Sequence, residues 1–136
     1  MKFYEVQIDS IFLTSDGTAG SSDKCKLSIT NVEDLLTSVA GVAIPSITGS
    51  PVIQTIPWTS GKQFDIRVNV LNKAQWDALK TLINTALGNS GFFTVTATGD
   101  IGDFTKVVKP FPQKPFSAER FKNGRIYNVV LRFITV

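Results

Sequence analysis

The residue types that carry most protein chemistry are thin in this chain, and histidine is missing altogether. Without an imidazole, Ser-His-Asp and Cys-His nucleophile systems cannot be assembled, nor can the usual zinc and non-haem iron sites. The single cysteine, Cys25, lies between Lys24 and Lys26, cations able to stabilise a thiolate. It also shares an alternating face with Leu27 and Ile29, and with no base to activate it, it reads as a small buried hydrophobe. One cysteine forms neither an internal disulfide nor a thiolate cluster. Asp100 and Asp103 offer two carboxylates to a hard cation, too few for a calcium loop, and a turn between strands accounts for them better. Glu33-Asp34 reads as the polar start of a short helical turn ahead of Leu35-Leu36. Gly61-Lys62 is followed by Gln63, with Ile56 where a phosphate loop needs glycine. A glycosidase pair of carboxylates far apart in sequence is left open by spacing alone. The expectation is a protein that is not an enzyme and needs no cofactor or metal.

Aromatic residues offer binding chemistry instead. Trp58, after Pro57 and before Thr59-Ser60-Gly61, suits a platform for a sugar ring or an anchor at an interface. Trp76 falls on an apolar helical stripe, where core packing explains it. Phe111, Phe116 and Phe121 are interleaved with Lys109, Lys114, Arg120 and Lys122, a pattern that can stack on single-stranded nucleic acid. Pro110, Pro112 and Pro115 break that segment into a rigid arm, and no RNP-type signature is present. Charge is uneven: residues 1–99 hold seven Lys/Arg against eight Asp/Glu, and residues 100–136 hold seven against three. A basic C-terminal third can meet phosphate or an acidic partner, although a solvated face is the plainer account.

These residues need a scaffold, and its centre is a helix over residues 72–87. Asn72 is a favoured N-cap with Gln75 three positions on, the spacing of a capping box. Trp76, Leu79, Leu82, Ile83, Ala86 and Leu87 recur at helical spacing, and Gly88 offers the left-handed stop. Alternation predicts strands at 64–70 and 93–97, so the helix packs on a sheet formed partly by its own neighbours. Asn123-Gly124 is a favoured type I′ turn and joins 116–122 to 125–135 as a hairpin. In its second arm Tyr127, Val129, Leu131 and Phe133 share one face, and Ile126, Val130 and Ile134 the other. A strand apolar on both faces is covered on both. Further strands are expected at 4–13, 25–30 and 104–109, with a turn-rich loop at 15–23. Residues 37–60 are apolar, punctuated by proline and without a clear period, and read as a long extended arm or loop that either packs on its own domain or, the favoured reading, is covered by a partner.

A chain of 136 residues, 43% hydrophobic and 18% charged, suits a single globular domain over 1–136. No apolar run approaches the about 20 residues of a membrane helix, and the N-terminus lacks a signal-peptide core. The fold class expected is mainly β with one α-helix (α+β), an antiparallel β-sandwich or barrel flanked by that helix.

The order of elements adds a resemblance. Residues 61–70 lead into the capped helix, then come Gly91-Phe92-Phe93-Thr94-Val95 and the turn at 99–104. The chain closes with Gly124-Arg125-Ile126-Tyr127-Asn128-Val129-Val130-Leu131-Arg132-Phe133. Over residues 61–136 this resembles the minor and distal tail proteins of long-tailed bacteriophages. The resemblance implies a tail-tube-like fold and a structural role in the virion tail, in a protein made in the host cytoplasm. It also implies ring assembly with copies of itself (six by resemblance), contact with other tail proteins, and DNA only as passing cargo. The basic C-terminal third departs from the acidic lumen expected of a DNA-conducting tube and favours a tail-tip or connector position. Interface candidates are Val52, Ile53, Ile56, Trp58, Ile126, Val130 and Ile134. A carbohydrate- or surface-binding module built on Trp58, and a small nucleic-acid-binding protein, are the alternatives.

Overall fold

A computed structural model describes residues 3–14, 26–36, 39–44, 49–57, 60–89, 91–100 and 102–136. The chain begins with a hairpin of β1 (Phe3–Ile8) and β2 (Ile11–Thr14). Alternation predicts a single strand over 4–13, but Asp9 takes a φ of 55° and turns the chain back. A two-residue turn leaves Val6 opposite Leu13 on one buried face; the buried positions pass from even (Val6, Ile8) to odd (Leu13), a shift concealed because Ile11, Phe12 and Leu13 are all apolar. Next come β3 (Leu27–Ile29), the short α1 (Val32–Leu36), β4 (Val39–Ile44) and β5 (Val52–Pro57). β6 (Gln63–Asn72) runs into α2 (Lys73–Asn89), followed by β7 (Phe93–Gly99) and β8 (Gly102–Pro110). Two short strands, β9 (Phe116–Ser117) and β10 (Arg120–Lys122), precede the long β11 (Arg125–Thr135). Cys25 and the 15–23 loop lie outside the described residues.

The expected class holds at its coarse level: mostly antiparallel β-sheet, with one substantial helix. The main sheet has the order β2-β1-β7-β8-β11-β6-β3, with β9 and β10 also paired to β11. It is not a closed barrel, which corrects that part of the expectation. The described pairings end at β2 and β3, and β1 approaches β3 without pairing to it. β11 is the spine. One edge pairs with β6 from Arg125 to Ile134. Its other edge meets β10, then β9, and finally β8 over only Phe133 to Thr135.

The capping box forms as expected. The Gln75 backbone N–H donates to Asn72 Oδ1 at 2.8 Å, and the Asn72 N–H donates to Gln75 Oε1 at 3.2 Å. Gln75, only 6% exposed, also donates from Nε2 to the Phe12 carbonyl at 3.1 Å, fastening the start of α2 to β2. Trp76, Leu79, Ile83 and Ala86 are buried, while Leu87 is exposed. Gly88 does not stop the helix, which continues to Asn89; the Gly91 N–H closes it by donating to the Ala86 carbonyl at 2.8 Å. Leu79 and Ile83 join Phe64, Ile66, Val95, Leu131 and Phe133 in one core, each buried side chain contributing about 1.5–3 kcal/mol. The Phe133 ring meets Phe64 and Phe93 at centroid distances of 5.7 and 5.4 Å.

Two further expectations change. The Asn123-Gly124 turn is present with positive φ at both residues, 53° and 72°. Beyond it, however, Ile126 is buried together with Val129, Leu131 and Phe133, whereas Tyr127 is on the other face. Asn128 causes the exchange: its left-handed φ of 55° shifts the alternation by one residue without breaking the register to β6. The 37–60 segment, expected to be a loop-like arm, contains the paired strands β4 and β5.

Candidate interaction surfaces

Three surfaces can act on something outside the chain. The first is the ribbon of β4 and β5, with Val39 opposite Pro57 and Ile44 opposite Val52. In the described pairings it belongs to a sheet of its own, separate from the main one. Residues 35–61 contain no Asp, Glu, Lys or Arg. Natural edge strands usually carry charge to block pairing with other chains, and these two carry none. Ile53 is 68% exposed. Of the expected interface residues, β5 holds Val52, Ile53 and Ile56, opposite Ile44, Ala43 and Ala40. Trp58 lies outside the described residues.

The second surface is the outer face of β11. Val130 and Ile134 are half-buried there, whereas Ile126 is 3% exposed and belongs to the core. The Arg120 guanidinium stacks over the Tyr127 ring at 4.5 Å. Arg132 organises the proline-rich connection beside this face. Its backbone N–H donates to the Pro115 carbonyl at 2.8 Å, and its guanidinium donates to the Lys114 carbonyl at 2.9 Å. Its own carbonyl accepts from Phe111 at 3.0 Å. These three hydrogen bonds fasten the segment to β11.

The third surface is a cleft of about 320 Å³ between the first turns of α2 and the tip of the β10–β11 hairpin. Trp76 forms its base and packs edge-on against Phe116 and Phe121, at 5.5 and 5.6 Å. Phe121 is nevertheless 65% exposed. Lys73, Lys80, Lys122 and Arg125 line the cleft with Asp77. Lys73 holds Asp77 at 2.8 Å and Lys80 stands 3.6 Å away, so the carboxyl lies below its ordinary value, chiefly through the Lys73 hydrogen bond.

Sequence reasoning treats Trp76 as core and Phe121 as part of an arm, so it does not bring the two together. The available signal is register: the Asn123-Gly124 turn sets Lys122 opposite Arg125, and Arg125 also lies opposite Asn72 at the helix cap. Among the described residues no cluster of His, Cys, Asp and Glu is arranged to hold a metal ion. Asp100 occupies the tight turn between Gly99 and Gly102, which pair across it. No described helix is long and apolar enough to cross a membrane. Comparison with protein-family models, curated proteins and solved structures yields no match.

Proposed function

We propose that this chain is a structural component of a bacteriophage tail, at the tip or a connector, that works by assembling with copies of itself into a ring. The observation that carries this reading is the β4–β5 ribbon: uncharged, with Ile53 exposed, and outside the main sheet. Among the described residues the ribbon pairs with no other strand, and it offers the exposed Ile53 to a neighbouring subunit. The strand–helix–strand order and the final strand, on which the family resemblance rests, are consistent with the reading. In it, the two parts of the open sheet on either side of the β8–β11 junction form the two layers of a tail-tube-like sandwich. The protein would reside in the virion tail after synthesis in the host cytoplasm, in contact with other tail proteins.

Size-exclusion chromatography with light scattering, followed by negative-stain imaging, tests the proposal. Rings, six-membered by the resemblance, are expected at high protein concentration, and Ile53→Glu should shift the population to monomer without lowering thermal stability. A wild-type chain that stays strictly monomeric, forms no rings and binds no tail protein overturns the proposal.

A further inference from the structure

The cleft at the start of α2 shares no lining residue with the β4–β5 ribbon, on which the proposed assembly rests, and poses a separate question. Phe121 is a large apolar ring left 65% in solvent on a short edge strand, although Trp76 already packs against it. Four cations line the cleft with it, together with one carboxylate, that of Asp77. The cleft therefore carries surplus positive charge beside an open aromatic face. Its volume is at the lower end of the range for small-ligand sites, room for one planar group and its anionic substituent.

An exposed ring within a basic rim is costly to leave in water and favours a ligand that is both flat and negatively charged. An acidic peptide satisfies the cations but leaves the ring uncovered. A nucleobase bearing a phosphate satisfies both, because every base offers a π-face and its phosphate meets cations at short range. We propose that this cleft binds a nucleobase carrying a phosphate, with the base stacked on Phe121 and the phosphate held by Lys122 and Arg125. Trp76 supports Phe121 from below, held by its place in the core. Lys73 and Lys80, tethered by Asp77, add charge at the rim. Recognition of this kind does not distinguish sequences, since stacking and phosphate contacts are common to all bases.

Fluorescence anisotropy of the full chain with a fluorescein-labelled oligothymidylate of about ten nucleotides, near the span of one small single-strand site, tests the proposal. Binding is expected at low salt and should weaken steeply as salt rises. Phe121→Ala should weaken it about tenfold or more, the effect of losing one stacked base. The double variant Lys122→Gln/Arg125→Gln should lower the slope of log affinity against log salt by about 1.4, the share of two phosphate contacts on a single strand. Displacement by thymidine monophosphate at matched phosphate concentration would support the same chemistry and make a free nucleotide the occupant. No binding at low salt would overturn the proposal, as would equal affinity in Phe121→Ala. Equal competition by polyphosphate or polyglutamate would also overturn it, since neither carries a base. Phe121, Lys122 and Arg125 are all exposed, so the variants should fold, and thermal melts establish that they do. These outcomes are independent of whether rings form.

Discussion

Replacing Gln75 with leucine tests how the helix is joined to the sheet. The side chain of Gln75 is 6% exposed, accepts from the Asn72 N–H and donates to the Phe12 carbonyl. Leucine preserves bulk and helix propensity but removes both bonds and leaves the partly buried Phe12 carbonyl without that donor. Two net hydrogen bonds at about 1 kcal/mol each, plus part of a carbonyl desolvation penalty, total about 2–3 kcal/mol. Unfolding entropy of about 2.1 cal/mol/K per residue gives a chain of 136 residues roughly 0.29 kcal/mol/K, so Tm should fall by about 7–10 °C. Differential scanning calorimetry and urea titration read both numbers. Gln75→Glu separates the two bonds, because it keeps an acceptor for Asn72 and sets a carboxylate against the Phe12 carbonyl. Burial there raises the folded-state pKa of the introduced carboxyl above its unfolded value. The destabilisation is therefore full above the folded pKa and disappears as pH falls below the unfolded value near ~4.3. A loss below about 0.5 kcal/mol for Gln75→Leu, or a pH-independent deficit for Gln75→Glu, refutes the reasoning.

Thr135→Val, at a position 3% exposed, removes the Oγ1 that accepts the Lys62 N–H at 2.8 Å and should cost about 1–3 kcal/mol by chemical denaturation. Asn128→Val forces a β-branched residue into a φ of 55° and should cost about 1–2 kcal/mol, whereas Asn128→Gly should cost less in the same titration. Asp77→Asn removes a carboxyl whose folded pKa is depressed by Lys73, so wild type should lose stability relative to the variant as pH falls through the folded-state pKa of Asp77. The effect should be small, because Asp77 is exposed to solvent and salt, and melts from pH 6 downward will show it.

The parts of the fold set by local rules were legible. The Asn72–Gln75 box and the Asn123-Gly124 turn each depend on a few adjacent residues with distinctive geometry, and both formed where the sequence placed them. Features set by a single residue working against the local pattern were not legible. Asp9 reverses a strand at a change of phase hidden by the run of apolar residues Ile11-Phe12-Leu13, and Asn128 moves Ile126 into the core by a left-handed twist that periodicity cannot register. The β4–β5 ribbon escaped because β4 (Val-Ala-Gly-Val-Ala-Ile) has no polar residue to set a contrast, and β5 groups its polar residues as Gln54-Thr55 between apolar pairs, so neither strand shows the period-two alternation that identifies one. The aromatic cleft escaped for another reason: Trp76 and Phe121 are 45 positions apart, and only the shared pairing of Arg125 with Lys122 and Asn72 brings them together.

The short junction between β8 and β11 has a mechanical consequence. β11 is fastened to β6 by nine paired positions and to β8 by three. The seam between β2-β1-β7-β8 and the rest is thus a ladder of three pairs. It is extended by the Val136 N–H donating to the Val107 carbonyl at 3.1 Å and the Phe111 N–H donating to the Arg132 carbonyl, and β1 also approaches β3. The Phe93–Phe133 ring contact reinforces that seam, and α2 spans it, touching β2 and β8 on one side and β6 and β11 on the other. α2 is thus a crossbeam over the seam, with Gln75 fastening its first turn to β2. Each side of the seam keeps its own strand ladder, and the helix is the element that packs on both.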